Sequence, residues 1–320
     1  MFDIALNQST LAHLTKVTPN MVSRTIAANN IAPLVQEHVH NKRYSIEDVR
    51  KIANLVYAKN QRPILQKVNV FYNFKGGTGK TSLCYQIATH LALLGFNVLV
   101  LDLDPQAHLS SVMHIPEEWN GPTIYDVLIN NHSFEEAFVE IFPGLSLIPA
   151  NISMTRIELP LSTKTKREEK LLHILEPYKE RFDYIIMDTN PTISTLNMNA
   201  LVASDRVNIV CETQPFSLSG LRVLVEEMVA FYGDMDLKPN YSIIPNKYEI
   251  KTATAQEVLG ALRSEYGEHV ISAVVRKSED INVSTKKKLP LVGFCKIKST
   301  AFEDIMDLVH EFVSQTRQAA

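Results

Sequence analysis

Residues 75–81 read Lys-Gly-Gly-Thr-Gly-Lys-Thr, a set of residue types spaced to grip a phosphate. Glycines let the backbone close around an anion, so that N–H groups converge on it at the start of a helix, where the dipole adds partial positive charge. Gly76, Gly77, Thr78, Gly79 and Ser82 form or flank that cradle. Lys80 can reach the β- and γ-phosphates, and the Thr81 hydroxyl is placed to ligate Mg²⁺. The usual phosphate-loop pattern has glycine where this chain has Phe74, and a second lysine, Lys75, follows it at the front of the loop. These residues point to nucleotide binding.

Carboxylates add a second part of the chemistry. Asp102 and Asp104 follow an apolar run two residues apart, so both face one side of an extended segment while Leu103 faces the other. One of them is available to orient an attacking water. Asp188 ends a second apolar run, 183–188, where a carboxylate can hold a water on Mg²⁺. The plainer role for an Asp at a strand end is to cap the next turn, but here three of them converge on one phosphate site.

Elements able to position these groups are legible around them. Val68 to Tyr72 is β-prone and apolar, as a buried parallel strand should be. Leu83, Ile87, Ala88, Leu91 and Leu94 then recur at helical spacing, and Gly95 suits the left-handed position that closes a helix. Val98 to Leu101 is the next strand. Strand, glycine turn, helix and strand make a βαβ unit whose phosphate site lies beyond the carboxyl ends of the strands. The expected fold is α/β, a mostly parallel doubly wound sheet of the P-loop NTPase type with a deviant Walker A loop. A small winged-helix or helix-turn-helix domain should precede it.

The chain has 320 residues, 45% hydrophobic and 21% charged, ordinary for a globular protein large enough for an α/β domain and a small companion. No apolar run is long enough to span a membrane and the N-terminus lacks a secretory pattern, so a cytoplasmic location without membrane contact is expected. The last helix, about 301–315, presents Phe302, Ile305, Val309 and Phe312 and should pack on the body, leaving too little chain for a membrane tail. Cys84, Cys211 and Cys295 read as reduced thiols, which removes support for an iron–sulfur reductase sharing the same loop. His38 and His40 fit a surface turn better than a zinc site.

Charge is unevenly distributed. The net charge is −3, yet residues 1–62 hold eight Lys/Arg against four Asp/Glu, a positive head on an acidic body that suggests an anionic partner for the head. Within it, residues 9–15 read as a short helix, and Thr18-Pro19 starts a second one running to Ala28. Such a pair fits a helix-turn-helix that turns Asn20, Ser23 and Arg24 outward to DNA, with a plain helical bundle as the alternative. A wing could follow near residues 40–44, and Ser45-Ile46-Glu47-Asp48 is a capping box for a third helix. Gln61-Arg62-Pro63 reads as a linker, which sets domains at 1–62 and 63–320.

Taken together, the residues resemble the ParA/MinD group of deviant Walker-motif ATPases over about 68–300. The resemblance rests on the 75–81 loop, Asp102 to Gln106, the Asp188 strand, and Glu212 to Leu221 with its Phe216 and Gly220. The Asp104-Pro105-Gln106 triplet is similar to the ParA branch, which partitions plasmids and chromosomes, and the N-terminal extension resembles its longer, operon-repressing type. Asn190 departs from the family's usual Asp-x-Pro-Pro.

The resemblance implies an ATPase, slow alone and partner-stimulated, with ATP and Mg²⁺ as cofactors. Lys75 would reach across a nucleotide-sandwich homodimer to the partner's phosphates, Lys80 would bind phosphate in cis, and Asp104 would align the water. Thr81, Asp102 and Asp188 would stand on the Mg²⁺ side, and Asn246 would contact adenine. Implied partners are a second copy, non-specific DNA, operator DNA at the head and a ParB-like centromere-binding protein. Candidate cations for non-specific DNA are Arg222, Lys247, Lys251, Arg263, Arg276, Lys277, Lys286, Lys287 and Lys288, through which affinity would fall with salt. A nucleoid-based positioning ATPase for a protein cargo, and an ATP-gated repressor, remain alternatives.

Overall fold

Val68–Tyr72 is wholly buried, and five consecutive buried residues, Asn69 among them, mark a strand covered on both faces. The computed structural model of the chain describes residues 4–34, 42–57 and 63–318. The strands in chain order are β1 (Leu6–Asn7), β2 (Arg43–Tyr44), β3 (Val68–Tyr72), β4 (Val98–Asp102), β5 (Val139–Phe142), β6 (Leu145–Ile148), β7 (Tyr184–Asp188), β8 (Arg206–Glu212) and β9 (Tyr241–Asn246). The first four helices are α1 (Gln8–Leu14), α2 (Pro19–Ala28), α3 (Ile46–Tyr57) and α4 (Lys80–Leu93). Then follow α5 (His108–Val112), α6 (Ile124–Asn130), α7 (Glu158–Ser162), α8 (Lys170–Leu175) and α9 (Thr195–Ala203). The last are α10 (Pro215–Asp234), α11 (Ala253–Tyr266), α12 (Glu279–Lys287) and α13 (Thr300–Gln315).

Seven strands form one sheet in the order β5-β6-β4-β7-β3-β8-β9. All neighbouring pairs are parallel except β5 with β6, an antiparallel hairpin at one edge. Apolar cores lie on both faces, the expected doubly wound arrangement. β7 enters between β3 and β4, so the β3-α4-β4 crossover spans it, and Asp188 is in register with both Phe71 and Asp102. That insertion brings the three site-bearing strand ends together at the carboxyl edge of the sheet.

The N-terminal segment begins with α1, capped by the Asn7 side chain, and α2, capped by Thr18 with Pro19 in its first turn. Asn20, Ser23 and Arg24 are exposed on α2, while Val22 and Ile26 are buried beneath them. Leu6 and Asn7 pair antiparallel with Tyr44 and Arg43. Residues 40 and 41 of the expected wing, His38, and Gln61-Arg62 of the linker lie outside the described residues. Ser45 Oγ and Asp48 make the capping contacts of α3.

This segment joins the core of the body. Leu11, Leu14, Val49 and Ile52 share one apolar cluster with Leu91, Phe302, Val309 and Phe312. Arg50 reaches the end of α4, donating to the carbonyls of Ala92, Phe96 (2.8 Å) and Gly95 (3.3 Å). A cation at a helix C-terminus satisfies orphan carbonyls and complements the dipole. His310 of α13 bonds the Leu14 carbonyl through Nε2 at 2.9 Å and the Tyr57 hydroxyl through Nδ1 at 3.2 Å.

Candidate nucleotide site

The phosphate loop follows β3 and opens α4. Gly77 and Gly79 take φ of +76° and +95°, conformations that glycine adopts without the usual Cβ penalty. A Cβ at Gly79 would stand 2.3 Å from Asn246 Nδ2, so this position needs glycine for space as well as for φ. Gly79 caps α4 with no side-chain hydrogen bond, which leaves the first N–H groups of the helix for a ligand. The Thr78 hydroxyl is buried without a partner.

Around the loop lies a cleft of about 660 Å³ lined by residues 76–82, Asp104 to Gln106, His108, Thr155, residues 189–192, Lys247 and Asn282. Lys80 is buried at its base, and its ammonium donates to the Asn73 carbonyl at 3.2 Å. Burial lowers the pKa of this lysine, while Asp188 and Asp104 oppose that shift. Asn73, which carries no signal in the sequence reading, is the scaffold here. Its Oδ1 accepts the Lys75 N–H at 2.9 Å and its amide donates to Val210 at 2.7 Å.

The carboxylates divide by environment. Asp102 is fully buried, with Oδ1 accepting the Asp104 N–H at 3.2 Å and Oδ2 accepting the N–H and hydroxyl of Ser110 at 2.8 and 2.7 Å. Burial pushes its carboxyl up to about 6 against those hydrogen bonds. Asp188 is equally buried, and neither of its oxygens has a hydrogen-bond partner. Burial and Asp102 raise its pKa well above the ordinary range, with Thr81 and Lys80 acting in the opposite direction. Asp104 is half-buried at the cleft wall, its Oδ1 accepting the Gln106 N–H at 2.9 Å. Asn190 is held by Asn197, whose amide donates to its Oδ1 at 2.8 Å and to its carbonyl at 3.1 Å, so the loop after Asp188 keeps a defined shape.

Among the described residues, no cluster of three His, Cys, Asp or Glu side chains could hold a metal ion unaided. Mg²⁺ in nucleotide sites needs one or two carboxylates, with phosphate oxygens and water completing the octahedron. Asp188, with two unpartnered buried oxygens beside Thr81, fits that requirement. Asp102, expected on the same side, has both oxygens engaged by Ser110 and Asp104.

Other expected residues fall in unexpected places. Asn246 is buried and donates to the Thr78 carbonyl at 2.7 Å, bracing the loop from β9. Lys247, expected on a DNA-facing surface, instead lines the cleft: its ammonium donates to Gly77 and to Glu212 Oε1, the latter at 2.8 Å. Lys75 bonds Glu212 Oε2 at 2.6 Å. Glu212 closes β8 directly after the apolar run Ile209-Val210-Cys211, and a charge at the end of a buried strand is the sequence signal that could have found it. Arg276 is bound to Asp304 through its side chain and its backbone N–H, so its fork serves the packing of α13 rather than an outer surface. Arg222 pairs with Glu265 at 2.7 Å, and Lys277 pairs with Glu249 at 2.9 Å. Lys251, Arg263, Lys286 and Lys287 are exposed, while Lys288 is half-buried in a left-handed helix cap. No helix among the described residues is long and apolar enough to cross a membrane.

Residues 66–243 match the AAA domain family. Among relatives, the cell division protein PomZ of Myxococcus xanthus is 31% identical over 253 residues, which cover 78% of this chain and 79% of that protein. The chromosome partitioning protein ParA of Caulobacter vibrioides is 26% identical over 255 residues, 78% of this chain and 95% of its own. The ATP complex of McdA from Cyanothece has a TM-score of 0.70 at 18% identity, covering 80% of this chain and 99% of that one, and speaks for the fold. With its phosphate loop, sheet order and relatives in agreement, the chain belongs to the AAA domain family as a P-loop ATPase of ParA type.

Proposed function

We propose that this protein is an ATP-driven positioning ATPase that pairs on ATP, binds DNA without sequence preference and lets go after partner-stimulated hydrolysis. The observation that carries this reading is the phosphate cradle at α4 with Lys75 at its rim, the ammonium half-exposed rather than buried like that of Lys80. In cis, the α4 N–H groups, Thr78 and Lys80 would bind the phosphates. Thr81 and Asp188 would hold Mg²⁺, which when bound neutralises phosphate charge. Asp104 would orient the water, and Asp102, locked by Ser110, would fix the start of the Asp104 loop. Asn246 would keep the loop open to the base side. Lys75 would complete the partner's site as a cation supplied in trans.

Exposed apolar side chains support pairing at this edge. Ile152, Ile193, Phe216 and Ile250 follow β6, β7, β8 and β9 and are 70%, 63%, 88% and 56% exposed. These segments leave the same carboxyl edge of the sheet, the side on which a second copy would meet the phosphate loop. For DNA, the dimer would use Lys251, Arg263, Lys286 and Lys287, and the outward face of α2 with Asn20, Ser23 and Arg24 would serve operator DNA. A ParB-like protein would be the stimulating partner for plasmid or chromosome cargo. A second reading, a positioning ATPase for a protein cargo, would use the same ATPase core. An electrophoretic shift on random-sequence DNA, run with ATP, ADP and no nucleotide, tests the proposal. A shift confined to ATP supports it, and equal binding in all three lanes would sink it.

A further inference from the structure

Glu212 closes β8, and its carboxylate is 8% exposed. One oxygen meets Lys75 Nζ at 2.6 Å and the other meets Lys247 Nζ at 2.8 Å, while the Lys247 ammonium also donates to Gly77. A carboxylate this enclosed is costly unless paired and hydrogen-bonded. Burial alone would raise its pKa, but Lys247 and Lys75 together hold it below the ordinary range. The bridge ties the ends of β8 and β9 to the phosphate loop. The Lys75 backbone is fixed separately by Asn73, so its side chain can swing without unfolding the loop.

We propose that Glu212 is a positioning residue that stores Lys75 against its own subunit while the loop carries no triphosphate, and yields it when phosphate charge arrives. This rests on the reading of Lys75 as the lysine supplied in trans. A lysine is a compact charge on a flexible four-carbon stem, suited to such an exchange. A bound triphosphate brings several negative charges that compete with the single Glu212 carboxylate for the lysine. Lys247, anchored also on Gly77, stays behind as the counter-charge that keeps Glu212 satisfied. The arrangement sets a threshold: the lysine is withheld from a partner until nucleotide is present.

The test is limiting amine acylation of the full-length, nucleotide-free protein, with each lysine quantified by mass spectrometry and the exposed Lys251 as internal reference. Glu212→Gln should raise labelling of Lys75 about fivefold, as expected for loss of a charge-assisted hydrogen bond at a half-exposed site. It should also lower, by a similar factor, the concentration of a hydrolysis-resistant ATP analogue needed for half-maximal self-association. Unchanged Lys75 labelling would overturn the proposal, as would an unchanged analogue requirement for self-association. If labelling rises but wild-type protein stays monomeric with the analogue, the hold by Glu212 stands and the trans role of Lys75 falls. Should Glu212→Gln not fold, Glu212→Asp withdraws the carboxylate by one methylene and gives the same labelling test.

Discussion

Asp102 and Asp188 sit directly opposite each other on β4 and β7, yet only one of them is satisfied. Asp102 accepts three hydrogen bonds from Ser110 and Asp104, whereas both oxygens of Asp188 are buried with none. Two adjacent carboxylates thus differ in environment: Asp102 is tied to the loop that carries Asp104, and Asp188 keeps the oxygens that the proposed function assigns to Mg²⁺.

Asp188→Asn removes a buried carboxyl whose desolvation is opposed only by Thr81 and Lys80, so the nucleotide-free variant should melt no lower than wild type. Its nucleotide affinity should lose most of its Mg²⁺ dependence, weakening about tenfold or more in magnesium. Paired thermal melts and nucleotide titrations, with and without Mg²⁺, check both halves.

Lys80→Ala should abolish nucleotide binding, because the cradle loses the one buried ammonium at its base. Asp104→Ala should bind ATP within a few-fold of wild type but lose turnover by about 10²-fold, a typical loss when a water-orienting group is removed. Single-turnover hydrolysis beside equilibrium binding separates the two, and normal turnover in Asp104→Ala would contradict its role.

How much of this was visible beforehand depends on range. The 75–81 heptad, β3, α4 and β4 are local in sequence and were readable to within a residue or so, because glycine spacing and helical periodicity carry their own physics. The places of Lys247 and Arg276 were not, because each is decided by a carboxylate far along the chain, Glu212 and Asp304. Cation counting cannot distinguish a lysine on a surface from one in a cleft. The same limit hid Asn73 and Ser110, ordinary residues made important by strands that the chain brings in from elsewhere.

Arg276→Ala should destabilise the fold by about 2 kcal/mol, since Asp304 (8% exposed) would keep the backbone N–H of residue 276 but lose the guanidinium. Lys286→Ala should leave the melting temperature alone while reducing the salt slope of DNA binding by about 1, whereas Lys287→Ala also loses the contact of its ammonium with the Phe294 ring at 4.9 Å. Denaturant unfolding and DNA titrations at several salt concentrations discriminate structural from interfacial cations.

Burial, aided by Lys16, pushes the His310 imidazole down from 6.5 to about 4. A group kept neutral in the fold contributes stability that is complete above pH 6.5 and is lost as pH falls toward 4, because the unfolded chain takes up the proton first. His310→Gln should therefore lose about 1–2 kcal/mol less stability than wild type between pH 7 and pH 5. Because His310 touches Leu14 and Tyr57, the unfolding of the N-terminal helices should follow the same pH dependence. Urea melts at the two pH values, read by hydrogen exchange in α1 and α3, check this.

The account stands or falls on pairing controlled by the γ-phosphate. Sedimentation velocity of the full chain with Mg²⁺ and a hydrolysis-resistant ATP analogue should show a dimer, with ADP leaving a monomer and Lys75→Ala monomeric in both. A wild-type protein that stays monomeric with the analogue, or dimerises equally with ADP, would contradict it.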